Sequence, residues 1–242
     1  MKKSIVSMVI LLLPLIVSAS GGGQNLDKVY IDLSDRTSLQ RGARTFVNYC
    51  LSCHNASMMR YGRMAEDLGI GNELLRNEMM FAGDKPGDLM VTAMPADGAK
   101  AWFGVVPPDL SLTARSRGAD WIYTYLRNFY VDKSTATGWN NALFSNVAMP
   151  HVLYQWQGYR TATFEGDGVA DISTVRYKVE APGTMSSNEY DAALRDLTNF
   201  MVYLAEPVKL VRYRIGFWVM LFMGVFIILA YLLKKEYWRD IH

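Results

Sequence analysis

Cys50-Leu51-Ser52-Cys53-His54 is the stretch from which the rest of the chain can be interpreted. Two thiols three positions apart can form thioether bonds to the two vinyl groups of one porphyrin. A histidine directly after the second thiol can then reach beneath the ring and ligate iron. A Cys-x-x-Cys pair also serves elsewhere as a redox disulfide. The adjacent His54, a helical pattern running into Cys50, and the lack of a thioredoxin-like strand–helix–strand pattern favour one covalently bound haem c. Cys50 and Cys53 are the only cysteines, and His151 and His242 the only other histidines. A closed zinc site would need four ligands from these five scattered residues, which excludes it as a working model.

Working outward, residues 39–49 read as a helix that delivers the chain into the Cys pair, with Gly42 and Phe46 one turn apart. Residues 58–88 are mixed, with a short helix over 72–81. Pro107-Pro108-Asp109-Leu110 is a turn that fixes the chain before further helix. Residues 118–131 carry aromatics at helical spacing (Trp121, Tyr125, Phe129) and read as one helix. Residues 159–179 alternate around Glu165-Gly166-Asp167-Gly168 and suggest a small hairpin. Ser186 and Glu189 have capping-box spacing for a helix that runs to Ala205, just before Pro207. The fold expected is mainly α: a cytochrome c-like helical haem domain with a minor β-hairpin.

Both ends add appendages. Residues 1–20 read as a secretory signal, with Lys2 and Lys3, an apolar run over 5–17, and small residues at 17–20 for cleavage. The competing interpretation, an uncleaved membrane helix, is disfavoured because about 13 residues fall short of the roughly 20 that span a bilayer. Residues 215–233 form an uncharged run that is long enough, with Trp218 and Tyr231 near its ends and Tyr237 and Trp238 just beyond. The division expected is 1–20 signal, 21–208 haem domain, and 209–242 membrane anchor with a short tail. Basic residues flank the span equally, so the leader decides orientation: an exported body and a cytoplasmic tail.

Net charge is +2 over all 242 residues, but residues 21–208 hold seventeen basic against twenty-one acidic side chains. That mildly acidic body argues against nucleic acid and suits a cationic partner.

The second axial ligand decides what the iron does. A His/Met pair fills both axial positions and raises the potential, giving an electron carrier; an open position would permit ligand or peroxide chemistry. Among fourteen methionines, Met94-Pro95 and Met149-Pro150 stand out, because proline stiffens a loop that must present sulfur. His151 is a third candidate. Spacing does not choose among them.

Several landmarks together resemble the cytochrome c1 family, the haem subunits of cytochrome bc1 (ubiquinol–cytochrome c reductase) complexes, of proteobacterial type. They are Arg41-Gly42 and Phe46 ahead of the Cys pair, Pro107-Pro108-Asp109-Leu110-Ser111, Ala148-Met149-Pro150, Asp196-Leu197-Thr198-Asn199-Phe200, Tyr203-Leu204-Ala205-Glu206-Pro207, and the anchor ending in Lys235-Glu236-Tyr237-Trp238-Arg239. The resemblance implies Met149 as the sixth ligand, 95 residues after His54, and an arginine after the Pro-Pro-Asp-Leu turn that pairs with a haem propionate. Arg117 is the choice for that role and Arg115 the alternative, with Trp121 lining the same side. The sequence departs from many relatives at His151, where a further proline is common.

The resemblance further implies a one-electron relay from the Rieske iron–sulfur protein to a cytochrome c acceptor. The anchor would pack against the cytochrome b subunit and lipid of a bacterial inner membrane, with the haem domain in the periplasm. The chain itself makes and breaks no bonds in that role; any enzymatic label belongs to the complex. Two rivals are a free-standing anchored cytochrome c that feeds an oxidase, and a haem sensor or peroxidase with an open sixth site.

Overall fold

A computed structural model describes residues 25–164 and 172–241. The leader expected over 1–20, residues 165–171 at the expected hairpin tip, and His242 lie outside the described residues.

Two long helices make the frame. Helix α1 (Arg36–Tyr49) starts where the Asp35 carboxylate accepts from the Ser38 amide at 3.0 Å, satisfying one of the free donors of a helix start. Helix α8 (Ser187–Ala205) starts with the reciprocal Ser186–Glu189 capping box that its spacing predicts. The two cross at Gly42. A Cβ there would overlap the Asp196 carbonyl oxygen and sit 2.6 Å from the Phe200 Cβ, so only glycine lets the backbones approach. Beside the crossing, Phe46 meets Phe200 at a ring separation of 5.4 Å. Buried Asp196 accepts from the Ser38 hydroxyl at 2.7 Å and from Arg41 Nε at 2.5 Å. Asn199 donates to Ser38 Oγ and to the Asp32 carbonyl. Arg41, Gly42 and Phe46 on one side and Asp196, Asn199 and Phe200 on the other are therefore the two sides of one helix–helix contact.

Between these helices the chain winds through β1 (Ala56–Arg60), α2 (Tyr61–Leu68), α3 (Asn72–Glu78), β2 (Leu89–Met90), α4 (Ala96–Phe103), α5 (Thr113–Arg117), α6 (Ala119–Arg127), β3 (Phe129–Val131), β4 (Trp139–Asn141) and α7 (Tyr154–Gln157). The strands β5 (Gly158–Phe164) and β6 (Val175–Pro182) then form the expected hairpin. It pairs Thr161 with Lys178 and Phe164 with Val175, with an irregularity between Tyr159 and Arg160. Two further small antiparallel pairs, β1 with β2 and β3 with β4, were not expected from sequence pattern.

Two expected helices are shorter than their patterns. Residues 118–131 divide into α6, ending at Arg127, and strand β3. The Asn128 side chain donates to the Thr124 carbonyl at 2.7 Å, closing the helix end, and Phe129 pairs with Asn141 instead. The helix expected over 72–81 stops at Glu78, with Met79 as its cap.

Helix α9 (Lys209–Tyr237) runs 29 residues, about 44 Å at 1.5 Å per residue, and none of its residues is buried. It is the one helix among the described residues long and apolar enough to cross a membrane. Near its start, Arg212 pairs with Glu206 at 2.8 Å.

Candidate haem site

Helix α1 ends in a tight turn. The amides of Cys50 and Leu51 donate to the Phe46 carbonyl, and those of Cys53 and His54 to the Cys50 carbonyl, at 2.9–3.1 Å. This turn gathers both thiols and the imidazole onto the wall of one cavity of about 620 Å³. Burial pushes the Cys50 thiol up to about 12, with the Cys53 thiol adding to the effect. Reactive redox pairs need the opposite shift, so the environment suits a cysteine whose sulfur is bonded to carbon.

The Pro107–Leu110 turn carries the next element. His54 Nδ1 lies 2.7 Å from the Pro108 carbonyl oxygen, which can only accept, so the Nδ1–H donates and Nε2 is left with a lone pair. Burial lowers the His54 pKa despite the Pro108 bond and nearby Asp109, keeping the ring neutral as a metal ligand must be. The turn is stitched to the segment after His54. Asp109 accepts from Ser57 N and Oγ and from Ser111 N, Ser111 Oγ accepts from Met58 N, and Leu110 N donates to the Asn55 carbonyl.

Helices α5 and α6 supply another wall through Arg117, Trp121, Ile122, Tyr125 and Leu126. The Arg117 guanidinium sits 5.0 Å from the Trp121 ring centre, and Trp121 stacks on Tyr125 at 5.0 Å. Leu197 and Met201 of α8 also line the cavity. A loop between β4 and α7 closes the ring with Phe144, Asn146, Val147, Ala148, Met149 and Pro150. Buried asparagines shape that loop. Asn141 Oδ1 accepts from Leu143 N and Phe144 N while its Nδ2 donates to the Tyr125 carbonyl at 2.7 Å. Asn140 Oδ1 accepts from Asn146 N, the position with a left-handed φ of 57°.

All six expected site residues, Cys50, Cys53, His54, Met149, Arg117 and Trp121, thus line the same cavity. Met94, Arg115 and His151 are not among its lining residues. His151 is buried elsewhere, parallel to the Phe129 ring at 5.0 Å and edge-on to Trp139 at 5.1 Å. Two contributors escape a local scan: the Pro108 carbonyl, because backbone acceptors carry no residue signature, and the Tyr125 hydroxyl, because its partner Met149 lies 24 positions away. The largely apolar cavity, two thiols and a neutral imidazole beside each other, and a thioether on the loop fit a flat iron macrocycle.

The cytochrome C1 family model matches residues 27–241. The chain belongs to the cytochrome c1 family. It is 50% identical to cytochrome c1 of Allochromatium vinosum over the whole of both chains. It is equally 50% identical to a Nitrosomonas europaea protein named ammonia monooxygenase gamma subunit, over 97% of each. Cytochrome c1 of Rhodospirillum rubrum is 27% identical, over 86% of this chain and 83% of that one. As a cytochrome c1 family member the chain carries one covalently bound haem c and is a haem-containing electron carrier of the cytochrome bc1 complex. The candidate membrane helix α9 agrees with an anchored protein.

Proposed function

We propose that this chain passes single electrons from the Rieske iron–sulfur protein to a cytochrome c, through a haem bonded to Cys50 and Cys53 and ligated by His54 and Met149. The observation that carries the proposal is the convergence of these four side chains, from two distant segments, on one cavity. When bound there, the haem supplies the one-electron change between ferric and ferrous iron. The protein's own residues do the rest. The Pro108 carbonyl holds the His54 ring by its Nδ1–H, which orients Nε2 and increases its basicity. Met149 offers a soft neutral sulfur, which favours the ferrous state and so a high potential. Arg117 offers a guanidinium for a propionate that would otherwise lack a partner when desolvated, and Trp121 packs beneath that guanidinium. The apolar lining keeps water from the ring.

In this proposal residues 1–20 are a cleaved leader, 21–208 the periplasmic haem domain, and 209–242 the anchor and cytoplasmic tail. Helix α9 would face the cytochrome b subunit and lipid of the inner membrane with its uncovered apolar surface. The acidic balance of 21–208 would speed encounter with a basic acceptor more than it tightens binding. The name of the Nitrosomonas relative supplies a second reading, membership of an ammonia-oxidising assembly. Purification of the native complex with subunit identification separates the two. A cytochrome b and a Rieske protein support the relay proposed; their absence beside monooxygenase subunits would overturn it.

A further inference from the structure

We propose that Tyr125 is a positioning residue for Met149, its hydroxyl donating a hydrogen bond to the thioether sulfur and thereby raising the reduction potential of the site. The inference rests on Met149 being the sixth ligand. The Tyr125 hydroxyl oxygen lies 3.5 Å from Met149 Sδ, within range of a hydrogen bond to sulfur. A thioether sulfur has two lone pairs; one can go to iron and the other remains for the hydroxyl.

The contact is built rather than incidental. The Tyr125 ring is stacked on Trp121, 5.0 Å away and nearly parallel, and makes an edge-to-face contact with Phe129 at 5.2 Å. The ring cannot swing away without losing both partners. The loop bearing Met149 is tied to the same residue through Asn141, which joins the Tyr125 carbonyl to the amides of Leu143 and Phe144. Asn141 is fully buried, so its bonds are costly to leave unmade. Hydroxyl and sulfur are thus held to each other from both ends.

The effect on the iron has a definite sign. A donor on the sulfur withdraws electron density from it and makes it a poorer donor to iron. Ferric iron, with the greater charge, loses more by this than ferrous iron. The ferrous state is favoured and the potential rises. One hydrogen bond of ordinary net strength corresponds to a shift of about three- to tenfold in the ferrous/ferric ratio, or about 30–60 mV at 59 mV per tenfold for one electron.

The test is a redox titration of the full membrane-bound protein carrying Tyr125→Phe, which keeps both ring contacts and removes only the hydroxyl. The result expected is a lower potential by that amount, with the weak red absorption band of methionine-ligated ferric haem retained but shifted. Site-specific replacement of Tyr125 by a ring-fluorinated tyrosine, a stronger hydrogen-bond donor of nearly the same shape, should move the potential upward and serves if the phenylalanine variant does not fold. An unchanged potential in either variant overturns the inference. Met149→Leu, measured alongside, distinguishes the two failures. If it abolishes the red band while the Tyr125 variants leave the potential unchanged, only the hydrogen bond is wrong. If the band survives it, the ligand assignment itself is wrong.

Discussion

His54 and Pro108, 54 positions apart in sequence, meet through one hydrogen bond in which the imidazole Nδ1–H donates to the proline carbonyl at 2.7 Å. An imidazole whose Nδ1 is held in this way has one tautomer and one ring orientation, so Nε2 keeps a free lone pair, as the proposed ligation of iron requires. The turn containing Pro108 is therefore part of the site, and the residue that holds the turn is Asp109.

Asp109→Ala removes the acceptor of bonds from Ser57 and Ser111 and should cost about 1–2 kcal/mol, reduced by its exposure to solvent. The same carboxylate makes stability depend on pH. Burial works against its charged form, but the bonds from Ser111 and Ser57 outweigh this, and its folded pKa lies below the usual value. The contribution is complete above the unfolded value, about 3.9, and disappears as pH falls through the lower folded one. Melting temperatures of the haem protein taken down to about pH 3 should fall more steeply for wild type than for Asp109→Ala. Parallel curves would contradict this.

Gly42→Ala should be among the most damaging single-methyl additions in the molecule. The new Cβ meets the Asp196 backbone and the Phe200 Cβ at the point where α1 and α8 cross, so a backbone must move. The cost expected is about 1–3 kcal/mol or more, read as a drop in denaturation midpoint and in the yield of haem-loaded protein.

Arg117→Gln should lower the reduction potential, because removing a cation beside the haem favours ferric iron. The change expected is on the order of 1 kcal/mol in the one-electron equilibrium, less if solvent screens the pair. Arg115→Gln, outside the cavity lining, should leave the potential unchanged. The reverse pattern would transfer the propionate role to Arg115.

A chain ending at Val208 should lose membrane association and keep its haem spectrum. Helix α9 has no buried residue, and the Arg212–Glu206 pair near its start is an ordinary surface-type bond. Alkaline extraction of membranes, followed by haem staining of the soluble fraction, reads the outcome. Haem loss on truncation would mean that the anchor supports the site.

The sequence disclosed most where chemistry is local. Cys50, Cys53 and His54 form a contiguous motif, Ser186 and Glu189 a cap three residues apart, and α9 a continuous apolar run. It misled where long-range pairing overrode periodicity. Phe129 follows Trp121 and Tyr125 at helical spacing, yet pairs with Asn141 in a strand because Asn128 closes the helix first. Spacing was silent where the choice depended on a cavity. Met94 and Met149 both precede proline; the family resemblance implied Met149, and of the two only Met149 lines the cavity with Cys50, Cys53 and His54. Tyr125 was visible as part of an aromatic stripe, but its contact with Met149, 24 positions away, arises from the loop that Asn140 and Asn141 shape.

The most direct test of the relay is carbon monoxide binding to the reduced protein, compared among wild type, Met149→Leu and Met94→Leu. With His54 and Met149 filling both axial positions, wild type and Met94→Leu should bind it slowly or not at all, and Met149→Leu should bind it rapidly. Rapid binding by wild type would mean an open iron and a sensor or peroxidase chemistry. Rapid binding by Met94→Leu alone would move the ligand to the other methionine.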